Sequence, residues 1–218
     1  MEDRLAPGLY LERLDGPLAP YLAERVPAVV GVGDDRVAGV TWWENVCRDR
    51  TDLPRRLPER DHLVVYEVAA GFRAPDPPPE IEAHHFVRTP RPGQGRLTGR
   101  PTLGLSLVLI SPRAPEQAQA QALRDWADFV HLRHIAEAAV PGYTMITPYE
   151  NAGGGDPRFL HLYEMDTEDA ETAFQTMTPL VAERLGGRDT DEFAAWAMTP
   201  ELQIWYVNSF RRLGEMRP

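Results

Sequence analysis

The stretch that begins Leu105-Ser-Leu-Val-Leu-Ile110 sets out an order of elements that decides the fold. After this apolar strand a helical pattern runs from about Pro115 to Ala139, and Pro141-Gly142 stops it. Strand patterns follow at Tyr143 to Asn151 and Arg158 to Asp166, around the turn Gly153-Gly154-Gly155-Asp156. Asp166-Thr167 is placed to cap a second helix, Glu168 to Leu185, and Gly186-Gly187 to end it. Thr190 to Trp196 reads as a short helix. Leu202-Gln-Ile-Trp-Tyr-Val207 is the last strand, running on toward Phe210. The order β-α-β-β-α-β is the ferredoxin-like unit.

The same pattern occurs once more, upstream. Thr41-Trp-Trp-Glu-Asn-Val46 precedes His62-Leu-Val-Val-Tyr-Glu-Val68, as Thr147-Pro-Tyr-Glu-Asn-Ala152 precedes Phe159-Leu-His-Leu-Tyr-Glu-Met165. Strands at Leu9–Leu14, Arg36–Val46, His62–Ala69 and His84–Thr89, with a short helix from Pro17 to Val26, give a first copy of the unit. Its second helix is missing, because Ala74-Pro-Asp-Pro-Pro-Pro79 lacks the donors a helix needs. The expectation is an α+β chain of two fused units, 1–90 and 105–218, joined by a Gly- and Pro-rich linker at 91–104. Their two sheets cover one another as a barrel, Trp43 matching Tyr149 and Tyr66 matching Tyr163. The repeated Glu44/Glu150 and Glu67/Glu164 then mark a contact across the pseudo-twofold.

Composition narrows the function. A net charge of −10 over 218 residues argues against nucleic acid, which needs a basic face. No apolar run reaches the length of a membrane span, and Met-Glu-Asp-Arg is not the start of a signal peptide, so a cytoplasmic protein is expected. All 23 basic residues are Arg, which removes Schiff-base and Walker-lysine chemistry. Cys47 is single and reads as a half-buried thiol. The loop Cys47 to Asp61, with nearly balanced charges, reads as a solvated connector. His131-x-x-His134 has no third ligand nearby, so no metal is expected.

The candidate chemistry lies in the second half. At 100° per residue, Leu123, Ala127, Val130 and His134 fall within about 40° of one direction, with His131 at the edge and Trp126 flanking. On one strand Phe159, His161, Tyr163 and Met165 share a face. On its neighbour Tyr143, Met145, Thr147 and Tyr149 do. Which face meets the helices is left open by the alternation alone.

Asp125-Trp-Ala-Asp-Phe-Val-His-Leu-Arg-His134 followed by Val140-Pro-Gly-Tyr143 resembles the EthD-like branch of the dimeric α+β barrel superfamily. The likeness spans about 105–210 and, loosely, 9–90. The resemblance implies a ligand pocket between the helices and the sheet. It also implies a choice among cofactor-free monooxygenases, cyclases, isomerases, haem-degrading enzymes and proteins without activity. The expected enzyme acts on a small apolar, aromatic or polyketide-like molecule without a cofactor. His134 serves as base, His161 and Tyr163 orient the substrate, and His131, Tyr143, Tyr149, Trp126 and Phe159 line the pocket. A haem alternative needs His134 as axial ligand. The competing expectation is a binding or scaffold protein in which the same histidines serve the core. The partner is a small molecule. The halves form an internal pseudo-dimer, and pairing with a second chain through other surfaces stays open.

Overall fold

A computed structural model describes residues 5–32, 35–96 and 98–218. The strands are β1 (Gly8–Leu14), β2 (Val37–Asn45), β3 (His62–Val68), β4 (Glu82–Arg88), the two-residue β5 (Gln94–Gly95), β6 (Gly104–Pro112), β7 (Tyr143–Asn151), β8 (Phe159–Met165) and β9 (Leu202–Met216). They pair in the order β4-β1-β3-β2-β9-β6-β8-β7-β5, and β4 also pairs with β7. Eight antiparallel strands therefore close into a barrel, with β5 attached to the outer part of β7.

The repeat is visible in the register. Trp43 pairs with Leu63 and Val40 with Tyr66, and in the other half Tyr149 pairs with Leu160 and Ile146 with Tyr163. The two seams are equivalent as well, β2 with β9 and β7 with β4. Glu44 and Glu150 lie on these seams, opposite Arg211 and Val87. Glu67 and Glu164 instead stand on the inward face, at one end of the barrel. The inward faces pack as one cluster that includes Leu11, Trp43, Leu63, Leu107, Tyr149 and Leu160. At the opposite end Arg13, fully buried, lies 3.8 Å over the Tyr206 ring and pairs with Glu82 at 2.9 Å.

The helices lie outside. In the first half α1 (Leu18–Val32) runs past Pro27, beyond the short helix expected, because Val26 and Val29 still bury against the sheet. No second helix forms before β4 among the described residues. In the second half the expected long helix is broken into α2 (Gln117–Trp126), a π turn at 127–131 and α3 (Leu132–Glu137). The helix α4 (Ala170–Arg184) is capped by Asp169, which accepts from the Thr172 amide at 3.2 Å, rather than by Asp166-Thr167. Thr190 caps α5 (Asp191–Ala197) in the same way. Strand β9 continues to Met216 because its second half pairs with β2 and completes the barrel.

The π turn corrects the helical wheel. One extra residue rotates everything after it by about 100°. Leu123 and Ala127 face the sheet as expected, but Leu132 and Ile135 then replace Val130 and His134 in the buried stripe. Removing one residue here should restore a regular helix with an unbroken apolar stripe. Deletion of Phe129, which is 61% exposed, is expected to leave a folded protein with an unchanged or higher urea midpoint. A loss of cooperative unfolding would show instead that packing requires the π turn.

Candidate functional site

Strand β8 resolves the question of faces. Leu160 and Leu162 point into the barrel, while His161, Tyr163 and Met165 point toward the helices. A cavity of about 230 Å3 lies there, between the sheet and α2, α4 and α5. His131, His161, Tyr163 and Trp126 line it, with Trp196 and Phe174.

His131 is held on all sides. Its ring stacks on Trp196 at 5.1 Å and 9°, and the Trp126 ring lies 4.9 Å away, tilted by 33°. Nδ1 lies 3.0 Å from the Trp196 carbonyl. A carbonyl only accepts, so Nδ1 carries the proton and Nε2 keeps its lone pair. Trp196 returns a bond from Nε1 to the His131 carbonyl at 3.1 Å, and Trp126 Nε1 donates to Ala195 at 2.7 Å. Burial above all, opposed by the bond to Trp196, brings the His131 pKa down to about 4. Burial and the neighbouring His131 bring His161 down to about 3. Burial alone raises the Tyr163 hydroxyl well above its ordinary value. At neutral pH the cavity thus holds two neutral imidazoles and a protonated phenol.

His161 and Tyr163 are 5% and 1% exposed, yet neither has a side-chain hydrogen bond among the described residues. Their polar atoms open on the cavity, where a ligand or water can meet them.

The remaining expected site residues are spread more widely. His134 does not line the cavity; the π turn moves it to the partly exposed side, with Nδ1 3.5 Å from a Glu137 carboxylate oxygen. The roles of base and of axial haem ligand offered to it do not fit that position. Tyr143 faces the helices, edge-on to Tyr163 at 5.8 Å, with its hydroxyl directed at the Met177 sulfur. Tyr149 faces the other way, into the barrel, where its hydroxyl meets the Ala6 carbonyl at 3.4 Å. A bulge between Tyr143 and Met145 breaks the alternation that put both tyrosines on one face. Phe159 packs beside the cavity, with Ile110, Leu123 and Trp126. Among the described residues no group of three or more His, Cys, Asp or Glu is placed to hold a metal.

Two contributions escaped the sequence reading. Trp196 carries only the signal of an apolar position three residues after Phe193. The other is the loop 47–61, which is no mere solvated connector. Its Asp52 and Leu53 line the cavity from the first half. Arg50, with a fully buried side chain, anchors it: the guanidinium pairs with Glu171 of α4, meets Asp52 at 3.3 Å and lies 4.8 Å over Phe174.

No family model matches the sequence, and no curated protein resembles it. Its shape is shared more widely. The crystal structure of an anthrone oxidase-like protein matches with a TM-score of 0.53 at 15% identity, over 99% of this chain and 94% of that one. A mutant chlorite dismutase from Candidatus Nitrospira defluvii matches with a TM-score of 0.53 at 10% identity, over 97% and 93%. A major regulator of staphylococcal pathogenesis matches with a TM-score of 0.50 at 7% identity, over 94% and 99%. The chain has the dimeric α+β barrel fold, closed within one polypeptide. At these identities the likeness is one of fold, which hosts unrelated functions.

The depressed imidazole pKa values make a signed prediction. Between about pH 4 and 6.5 the unfolded chain binds protons that folded His131 and His161 refuse. Their contribution to stability is complete above pH 6.5 and is lost as pH falls toward the folded values. His161→Leu should leave the urea midpoint at pH 7.5 unchanged or raise it, and should flatten its fall between pH 7 and 5. A clear loss at pH 7.5 would mean that His161 is a satisfied core residue.

Proposed function

We propose that the chain is a cofactor-independent enzyme that takes a proton from a small, mainly apolar carbon acid of aromatic or polyketide-like character. The observation that carries this reading is that His161 and Tyr163, with no side-chain hydrogen bond among the described residues, open on an aromatic cavity beside a histidine of fixed tautomer. His131 takes the place first given to His134: its Nε2 lone pair is the base. The Tyr163 O–H donates to the substrate carbonyl and holds the negative charge that develops on it. His161 orients a second oxygen. The resulting enolate can be reprotonated elsewhere, attack a second carbonyl, lose carbon dioxide or react with oxygen, so isomerase, cyclase, decarboxylase and monooxygenase outcomes share this first step. The cavity is smaller than the roughly 300–1,000 Å3 of drug-sized sites, which suits one or two rings. The anthrone oxidase-like neighbour is in keeping with an aromatic ketone.

On this reading the molecule belongs to the EthD-like branch, on the strength of the segment 125–143. It works in the cytoplasm as an internal pseudo-dimer of 1–90 and 105–218, with 91–104 as linker. A second reading, a non-catalytic binding protein, is favoured by the His131 pKa of about 4, which makes an empty-site base weak. The regulator among the structural neighbours is in keeping with it.

Proton abstraction can be read without knowing the product. In a panel of small aromatic ketones and 1,3-dicarbonyls in deuterated water, the protein should catalyse exchange of the α-hydrogens of at least one member. His131→Ala should lower that exchange by about 10²–10⁴, the usual weight of a general base. Tyr163→Phe should raise the barrier without moving the urea midpoint much. Ligand-induced shifts in the Trp and His signals without exchange would favour the binding protein; neither shifts nor exchange would end both readings for this cavity.

A further inference from the structure

The inward side of the sheet has a cavity of its own. It measures about 450 Å3 and occupies the barrel end opposite the Arg13 plug. Leu9, Val65, Leu105 and Leu162 form the apolar part of its wall, threonines and charged side chains form the rest, and two aromatic rings, Trp43 and Tyr149, enter it. Those rings are pseudo-twofold mates, and so are the two carboxylates that share the cavity, Glu67 on β3 and Glu164 on β8. The duplication has therefore placed an acid and an aromatic from each half around one space.

The charges there are unequal. Arg212 is used by Glu215 and by the Thr102 carbonyl at 3.1 Å, and Arg100 by Asp166 at 3.0 Å. Arg217, at the exposed chain end, is the remaining cation on the rim among the described residues. Glu164, partly buried, has a single side-chain partner, the Thr102 hydroxyl at 3.1 Å, and Glu67, exposed at the rim, has none among the described residues. Burial, opposed by that hydroxyl and reinforced by the charge of Glu67, pushes the Glu164 carboxyl up to about 7. Burial, then the charges of Glu164 and Glu67, raise the Tyr149 hydroxyl, while Arg88 opposes them, so the field of both acids reaches the aromatic wall. An acid left in this state gains from any cation that can follow it out of water.

The geometry points to a second ligand site in the barrel mouth, taking an organic ammonium ion with an apolar body. The ammonium group bridges Glu164 and Glu67 and meets the ring faces of Tyr149 and Trp43, against which cations are attracted. The body lies on Leu9, Leu105 and Leu162. Arg212 already stands 5.9 Å over Trp43, so the ammonium has more room on the Tyr149 side. This site lies across the sheet from the histidine cavity and uses none of its residues, so either assignment can fail alone.

The test is isothermal titration calorimetry on the full chain. The probes are 2-phenylethylammonium, its neutral counterpart 2-phenylethanol and the anion 3-phenylpropanoate. The ammonium should bind in a saturable manner and the anion should not. Its affinity should rise between pH 6 and 8 as Glu164 ionises, with a proton released on binding. Glu164→Gln keeps the bond from Thr102 and should weaken the ammonium about tenfold or more, as expected for loss of a charge-assisted hydrogen bond, and abolish the pH dependence. Glu67→Gln should weaken it in the same direction. Neither variant should alter deuterium exchange at the histidine cavity. Absence of saturable ammonium binding, or equal binding of the alcohol and the ammonium in wild type and Glu164→Gln, would overturn the assignment.

Discussion

Closure of the barrel is the constraint on which the rest of the molecule depends. A four-stranded ferredoxin-like sheet has two free edges and one bare face. Here the edges of each half are spent on the other, at the β2–β9 and β4–β7 seams. The bare faces then become a single interior, which must be filled at the density of any protein core. Large side chains from both halves do this, and Arg13 with Tyr206 seals one end. Once the middle is full, space for a ligand survives in two kinds of place: the unplugged mouth and the gaps between sheet and helices.

The duplication shows which of the gaps is special. Tyr66 and Tyr163 occupy matching positions, but their surroundings differ. In the first half the Tyr66 hydroxyl lies 2.7 Å from that of Tyr21. Tyr21 donates to Glu12, which also receives Tyr10 at 2.7 Å and Arg25 at 2.5 Å. The polar groups there satisfy one another and leave a sealed core. Val64, fully buried, stands where the second half has His161. In the second half that network is gone, the tyrosine has no side-chain hydrogen bond among the described residues, and a histidine has been added. Two copies of one architecture thus solve the same buried position in opposite ways. A core under selection for stability alone has no reason to prefer the second.

Strand positions, the duplication and the lost helix of the first half were legible in the sequence, because period-two alternation and proline act locally. Even the register was implicit in the repeated Thr-x-aromatic-Glu-Asn and Tyr-Glu signatures. The failures came wherever the backbone inserts one residue. The π turn at 127–131 took His134 out of the stripe and brought His131 in, and the bulge at Tyr143 turned Tyr149 to the other side of the sheet. No periodicity argument anticipates an insertion, since the residues on either side keep their own period. The loop 47–61 was misread for another reason. Its charges nearly cancel, as in a solvated segment, but Arg50 cancels against Glu171, a residue 121 positions away.

The low pKa of His131 is best understood together with what fills the cavity. Empty, the site penalises an imidazolium, because His131 is buried against Trp126 and Trp196. On the proposed reading a carbon acid enters as a neutral molecule and meets uncharged imidazoles and a phenol, with the Asp52 carboxylate on the wall held by Arg50. Once its proton moves to Nε2, the enolate supplies the imidazolium with the counter-charge it lacked, and Tyr163 supplies a donor to the enolate oxygen. The interaction is therefore strong in the charge-separated state and weak before it, which is the condition for lowering a barrier rather than merely binding. The same arrangement discriminates among substrates. A molecule that is already anionic would have to shed its hydration beside Asp52, with no cation among the described lining residues to receive it. On the proposed reading the site would therefore favour neutral carbon acids over carboxylates.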